Sequence, residues 1–179
     1  MEIENHLLKR IKFLKSPNFN NRPTEDNISL IVIHSISLPP NKYEGSYVEE
    51  FFLNNLNISD HESFKEIKDL KVSSHLYIKR NGEIIQFVPF NKRAWHAGDS
   101  VFKGVPNCND FSIGIELEGA DNDIFSEEQY NSLALATKEI IKKYPLISKD
   151  NITGHSDIAP SRKTDPGNKF DWEKYLKLV

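Results

Sequence analysis

The chain has 179 residues and a nearly balanced charge, 23 Lys and Arg against 26 Asp and Glu, for a net −3. That balance gives no electrostatic basis for binding nucleic acid or an anionic membrane, and a single cysteine, Cys108, excludes an internal disulfide. A composition 38% hydrophobic and 11% aromatic excludes a disordered chain, and the length suits one domain, 1–179. The longest strongly apolar run, 28–33, falls far short of the roughly 18 residues that cross a bilayer. The opening MEIENHLLKR puts acids where a signal peptide carries bases. The expectation is a soluble cytoplasmic protein, monomeric and without a protein partner.

Residues 1–27, with Pro17, Pro23 and scattered Asn, read as an irregular arm ahead of a core spanning 28–179. ISLIVIH (28–34) is β-branched and almost continuously apolar, as in a strand covered on both faces. After Pro39 and Pro40, SYVEEFFLNNL (46–56) spaces Val48, Phe51 and Phe52 along one helical face. VSSHLYIKR (72–80) and EIIQFV (83–88) flank Asn81-Gly82, which predicts a β-hairpin closed by a type I′ turn. FSIGIELEG (111–119) alternates Ile113, Ile115 and Leu117 with polar or small residues and reads as a half-buried strand. Ser126 and Gln129 form a capping box for a helix carrying Tyr130, Leu133, Ile140 and Ile141, which Pro145 stops. NITGH (151–155) reads as a short strand, 156–169 as a polar loop, and 171–177 as a terminal helix. Interleaved strands and helices predict one α/β domain, a mixed central β-sheet flanked by helices.

With no phosphate-binding loop and no paired cysteines, the chemistry falls to His, Asp, Glu and Lys. His34 ends the apolar strand and His155 ends a second one, positions where side chains emerge into a cleft. Each is equally readable as a histidine satisfied locally at a strand end. Asp165 precedes Pro166, which favours an extended backbone there. Two histidines and a carboxylate with one open position make a catalytic zinc pattern, although their sequence spacings alone specify nothing. His6 and His61 read as surface residues, His75 as a structural strand residue, and His96 as either core or pocket wall. Glu116 and Glu118 share the strand face opposite Ile115 and Leu117, so one is free to face a cleft while the other is solvated. Lys163 reads alone as an ordinary surface lysine.

Taken together, IVIHSISLPP (31–40), VSSHLYIKRNGEIIQFVPFNKRAWHAG (72–98), CNDFSIGIELEG (108–119) and TGHSDIAPSRKTDPGNKFDW (153–172) resemble the zinc-dependent N-acetylmuramoyl-L-alanine amidases, the family that includes the peptidoglycan recognition proteins. The pattern is most similar to that of the cytoplasmic anhydro-muropeptide amidases of cell-wall recycling. The resemblance implies one catalytic zinc held by His34, His155 and Asp165 in a groove on one sheet face, with Glu116 and Lys163 as the catalytic pair. It implies hydrolysis of the bond between anhydro-N-acetylmuramic acid and L-alanine in a small soluble muropeptide. Ser35, Lys71, Trp95, His96 and Asn107 are the implied substrate contacts. Ser35 stands where the recycling pattern has Asn, Lys71 where it has Arg, and Val105 and Asn107 where it has basic residues. Lysine lacks the bidentate fork with which arginine grips carboxylates, so these departures bear on peptide affinity. Two other readings follow from the same resemblance: a lytic amidase acting on intact wall, and a non-catalytic muropeptide sensor.

Overall fold

The computed structural model describes residues 1–43 and 45–179. Its strands are β1 (Ile3–Glu4), β2 (Leu7–Leu8), β3 (Lys12–Phe13), β4 (Phe19–Asn21), β5 (Leu30–Ile36), β6 (Leu76–Ile78), β7 (Ile84–Gln86), β8 (Lys92–Ala94), β9 (Val101–Phe102), β10 (Val105–Pro106), β11 (Ser112–Glu118) and β12 (Ile152–Gly154). The helices are α1 (Tyr47–Phe52), α2 (Phe64–Ile67), α3 (Glu127–Lys143), α4 (His155–Ile158) and α5 (Trp172–Leu178). Six strands form the central sheet in the order β12-β5-β11-β6-β7-β3. Only the β6–β7 pair is antiparallel, so the sheet is mixed.

Ile31 and Ile33 of β5, Ile113, Ile115 and Leu117 of β11, and Leu76 and Ile78 of β6 pack on one face. There they meet Tyr130, Leu133, Ala136 and Ile140 of α3 and Tyr175 of α5. Each such Ile or Leu, fully withdrawn from water, contributes about 1.5–3 kcal/mol. The opposite face carries Tyr77, Ile85 and Phe87 beneath Val48, Phe51 and Phe52 of α1. Because β11 lies between two parallel neighbours, it is buried along its whole length, not half-buried as its alternation suggests.

Helix α3 begins at the expected capping box: Gln129 N–H donates to Ser126 Oγ at 3.1 Å, and Ser126 N–H to Gln129 Oε1 at 3.1 Å. Helix α1 is shorter than its apolar face suggests. Asn54 adopts a left-handed φ of 59° and Asn55 N–H bonds back to Glu50 O at 2.8 Å, closing the helix end.

The expected hairpin turn is corrected. The β6–β7 turn is not type I′, because only Gly82 has a positive φ, 82°. Gly82 N–H donates to Lys79 O at 2.8 Å, making Arg80 and Asn81 the centre of a type I turn with Gly82 as its left-handed bulge residue. A Cβ on Gly82 would lie 2.9 Å from Glu128 O, so helix α3 packs directly over this turn. The type I′ geometry occurs instead at Asn5-His6, with φ of 49° and 65°, between β1 and β2.

The first 27 residues are therefore not an irregular arm. They supply the β1–β2 hairpin, the sheet-edge strand β3 and strand β4, which pairs with β8. His6, expected at the surface, accepts or donates at Tyr144 Oη, 2.8 Å away.

Candidate active site

Three parallel strands, β12, β5 and β11, run side by side, and open α/β sheets place ligands at the carboxyl ends of such strands. The β5–β11 register sets His34 beside Glu116, and the β12–β5 register sets Gly154 beside Ile33, so His155 comes next to His34. Asp165 arrives from the loop after α4, held by a Ser156 N–H to Asp165 O bond of 2.9 Å.

His34 Nδ1 lies 2.9 Å from His155 Nδ1, and Asp165 Oδ2 lies 3.0 Å from each. These three are the described residues whose donor atoms cluster as a metal site does. A tetrahedral ion with bonds of about 2.0–2.1 Å separates its ligand atoms by about 3.3 Å, so the cluster is close to that span. The nitrogens remote from the cluster are also occupied. His155 Nε2 donates to Ala97 O at 3.0 Å, which leaves its Nδ1 lone pair facing the cluster. His34 Nε2 lies 2.9 Å from His96 Nδ1, and His96 Nε2 lies 3.1 Å from Ser112 Oγ. Donation along that chain, away from the cluster, presents the His34 Nδ1 lone pair as well. Three acceptor atoms converging at this distance repel one another and fit a cation among them.

Protonation suits ligation too. Burial lowers the His34 pKa to about 4, although Asp165 opposes it, so the ring is neutral at pH 7. Neutral histidines and an ionised carboxylate are the forms that bind metal.

The cluster opens into a cavity of about 280 Å³. Ser35, Trp95, His96, Glu116 and Lys163 line it, and Ile36, Leu38, Phe51 and Val72 form its apolar wall. Glu116 is buried and its Oε2 has no protein partner. Burial pushes its pKa well above the carboxylate range, the Asp165 charge adds to this, and Lys163 opposes it. Glu118, expected to be solvated if Glu116 faced a cleft, is buried as well, and its Oε2 accepts Arg80 N–H at 2.9 Å. Lys71 and Asn107 are not among the residues lining this cavity. Lys71 is exposed beside Lys68 and Leu70, and Asn107 sits exposed at a left-handed turn before the 3-10 turn Cys108–Asp110.

A family model for N-acetylmuramoyl-L-alanine amidase matches residues 24–168. The chain belongs to that family. Over 178 residues this amidase is 52% identical to the 1,6-anhydro-N-acetylmuramyl-L-alanine amidase AmpD of Haemophilus influenzae, covering 99% of this chain and 97% of the relative. A solved crystal structure of a selenomethionine AmpD derivative superposes with a TM-score of 0.97 at 46% identity, covering 100% of this chain and 99% of the other. The N-acetylmuramyl-L-alanine amidase AmiD from E. coli, solved with the substrate anhydro-N-acetylmuramic acid-L-Ala-D-gamma-Glu-L-Lys, matches with a TM-score of 0.62 at 32% identity. That match covers 85% of this chain and 57% of the other.

Several residues that shape this amidase's site carry no functional signal in the sequence. Gly114 lies mid-strand, where glycine weakens a sheet, yet a Cβ there would lie 2.4 Å from His96 Cγ. Its absence makes room for the His96 ring, and the glycine is the one sequence hint of a close approach. Arg22, buried in the supposed arm, donates to Asn109 O and Asp110 O at 3.1 Å and to Ser112 O at 2.7 Å. His75 is structural as expected: its Nδ1 accepts Gly114 N–H at 3.1 Å and its Nε2 donates to Lys92 O at 2.9 Å.

Proposed function

We propose that the chain hydrolyses the amide bond between 1,6-anhydro-N-acetylmuramic acid and L-alanine in soluble muropeptides, using one zinc ion held by His34, His155 and Asp165. The observation that carries this reading is the convergence of those three donor atoms, within 3.0 Å of one another, in a cavity that Glu116 and Lys163 also line. The names of the AmpD relatives and the muropeptide seated in AmiD support the substrate class.

Zinc, when bound, supplies Lewis acidity that makes water nucleophilic at neutral pH. Glu116 takes a proton from the attacking water as the new C–O bond forms at the lactyl carbonyl. Its unpartnered Oε2 is free to take that proton. The negative charge gathering on the carbonyl oxygen is stabilised by the Lys163 ammonium. Glu116 then returns its proton to the departing L-alanine nitrogen as the C–N bond breaks, leaving a free lactyl carboxylate and a free peptide. Trp95 and the wall of Ile36, Leu38 and Val72 exclude bulk water from one side of the reacting bond. Ser35 meets the substrate from the cavity, and Lys71 and Asn107 meet the stem peptide only beyond its rim.

No described helix is long and apolar enough to cross a membrane. The reading places the enzyme in the cytoplasm, acting as a monomer on recycled wall fragments. Mass spectrometry of products from anhydro-muropeptide and from whole sacculi, with zinc-loaded and chelator-treated enzyme, tests it. Cleavage of the soluble substrate alone, abolished by chelator, is the expected result. Stem peptide released from sacculi would instead indicate a lytic amidase, and tight binding without cleavage a sensor.

A further inference from the structure

The two candidate histidine ligands come from distant strands, yet their remote nitrogens are held by consecutive residues. His34 Nε2 meets the His96 side chain at 2.9 Å, and His155 Nε2 meets the Ala97 carbonyl at 3.0 Å. That dipeptide lies outside regular strand structure, just beyond β8, so nothing in the sheet ladder holds its backbone. One side chain does so. Asn109 Oδ1 accepts both His96 N–H, at 3.1 Å, and Ala97 N–H, at 2.8 Å. Asn109 is itself only 5% exposed, and its carbonyl is gripped by buried Arg22 at 3.1 Å.

We propose that Asn109 is a positioning residue of the metal centre, fixing the orientation of both histidine ligands through the His96-Ala97 backbone. It does not touch the ligand atoms and does not itself line the cavity. Partners that fix a ligating imidazole's remote nitrogen set its ring angle and its tautomer, and losing such a partner costs about 10–100-fold in metal affinity. Here one acceptor governs two such partners. A second tie strengthens the arrangement: Arg162 Nη2 donates to Ala97 O and to Asp99 O, each at 2.7 Å, linking the dipeptide to the loop that delivers Asp165. Gly114 completes the seat by leaving space for the His96 ring.

The inference rests on the metal reading above, and its test separates the two. Zinc affinity of the full-length chain is measured by chelator competition for wild type, Asn109→Ala, Asn109→Ser and Asn109→Asp, with thermal melting of each zinc-free chain as a control for folding. Wild type is expected to take up one zinc. Asn109→Ala and Asn109→Ser are expected to bind it about 10–100-fold more weakly and to alter the visible spectrum of the cobalt(II)-substituted protein. Asn109→Asp keeps the acceptor and is expected to restore affinity to near wild type. Wild-type affinity in a folded Asn109→Ala or Asn109→Ser chain would overturn the positioning role alone, whereas a wild type that takes up no zinc would overturn the metal reading itself. If neither truncated variant folds, hydrogen exchange of the wild type decides: strongly protected His96 and Ala97 amides support the clamp, and exchange at the rate of exposed loop amides overturns it.

Discussion

Glu116 and His34 are register partners on the neighbouring parallel strands β11 and β5, and both side chains project to the same sheet face. The pairing links a buried carboxylate, its Oε2 unpartnered, to an imidazole of the candidate metal cluster although the two are far apart in sequence. It also separates their tasks. Glu116→Gln keeps the shape of the site and removes only the base, so zinc binding is expected to persist while kcat falls about 10²–10⁴-fold. Asp165→Ala is expected to lose zinc and turnover together. Parallel metal analysis and kinetics on the two variants check this; substantial turnover in Glu116→Gln would remove Glu116 from the mechanism.

Gly114→Ala places a methyl group 2.4–2.7 Å from the His96 ring, which the His34 and His75 rings also flank. Overpacking of this kind costs about 1–3 kcal/mol. A domain of this size then loses roughly 2–12 °C in Tm, which calorimetry reads directly. An unchanged Tm would mean the ring has room to move.

Acid sensitivity has a source outside the candidate metal cluster. Burial lowers the His75 pKa from 6.5 to about 3, and Arg22 beside it acts in the same direction. The unfolded chain therefore binds a proton that the folded chain does not, between pH 6.5 and about 3. The resulting stability is complete above pH 6.5 and is lost as pH falls through that window, at about 1.4 kcal/mol per unit and about 3 kcal/mol by pH 4. Denaturant melts from pH 4 to 7 are expected to show a shallower pH slope for His75→Gln than for wild type, even though the variant is less stable at pH 7. Parallel slopes would contradict this assignment.

The groove walls depend on the amino-terminal segment. Asn18 Nδ2 lies within 3.2 Å of Phe52 O, 2.8 Å of Val72 O and 2.9 Å of Asn54 Oδ1, and Ser16 Oγ donates to Phe52 O at 2.6 Å. Trp95 Nε1 donates to Asn20 Oδ1 at 2.9 Å. Asn18→Ala removes the donor to Val72 O, at a cost of about 1–3 kcal/mol, while Phe52 O keeps Ser16 Oγ. Because Phe52 and Val72 line the cavity, KM is expected to rise more than kcat falls. Equal effects on both, or none, would separate the segment from substrate binding.

What could be read without a structure was whatever short-range chemistry controls. Ser126 with Gln129 announced a helix start, Pro145 its end, and the β-branched run before His34 a buried strand, because caps, breakers and apolar periodicity act within a few residues. Histidine and carboxylate chemistry marked His34, His155, Asp165 and Glu116 as candidates. Tertiary structure alone decided how those candidates meet. His34 and His155 are 121 residues apart, and only the parallel register of three strands brings their Nδ1 atoms to 2.9 Å. The same holds for Asn109, whose neighbour in sequence, Asn107, turns to solvent while Asn109 points inward to the His96-Ala97 amides. It holds again for the first 27 residues, whose strands β3 and β4 are too short to show a period and exist because β7 and β8 offer them partners. Sequence specified the side chains and their local geometry. Which of them share a cavity depended on long-range strand pairing, whose partners no local pattern encodes.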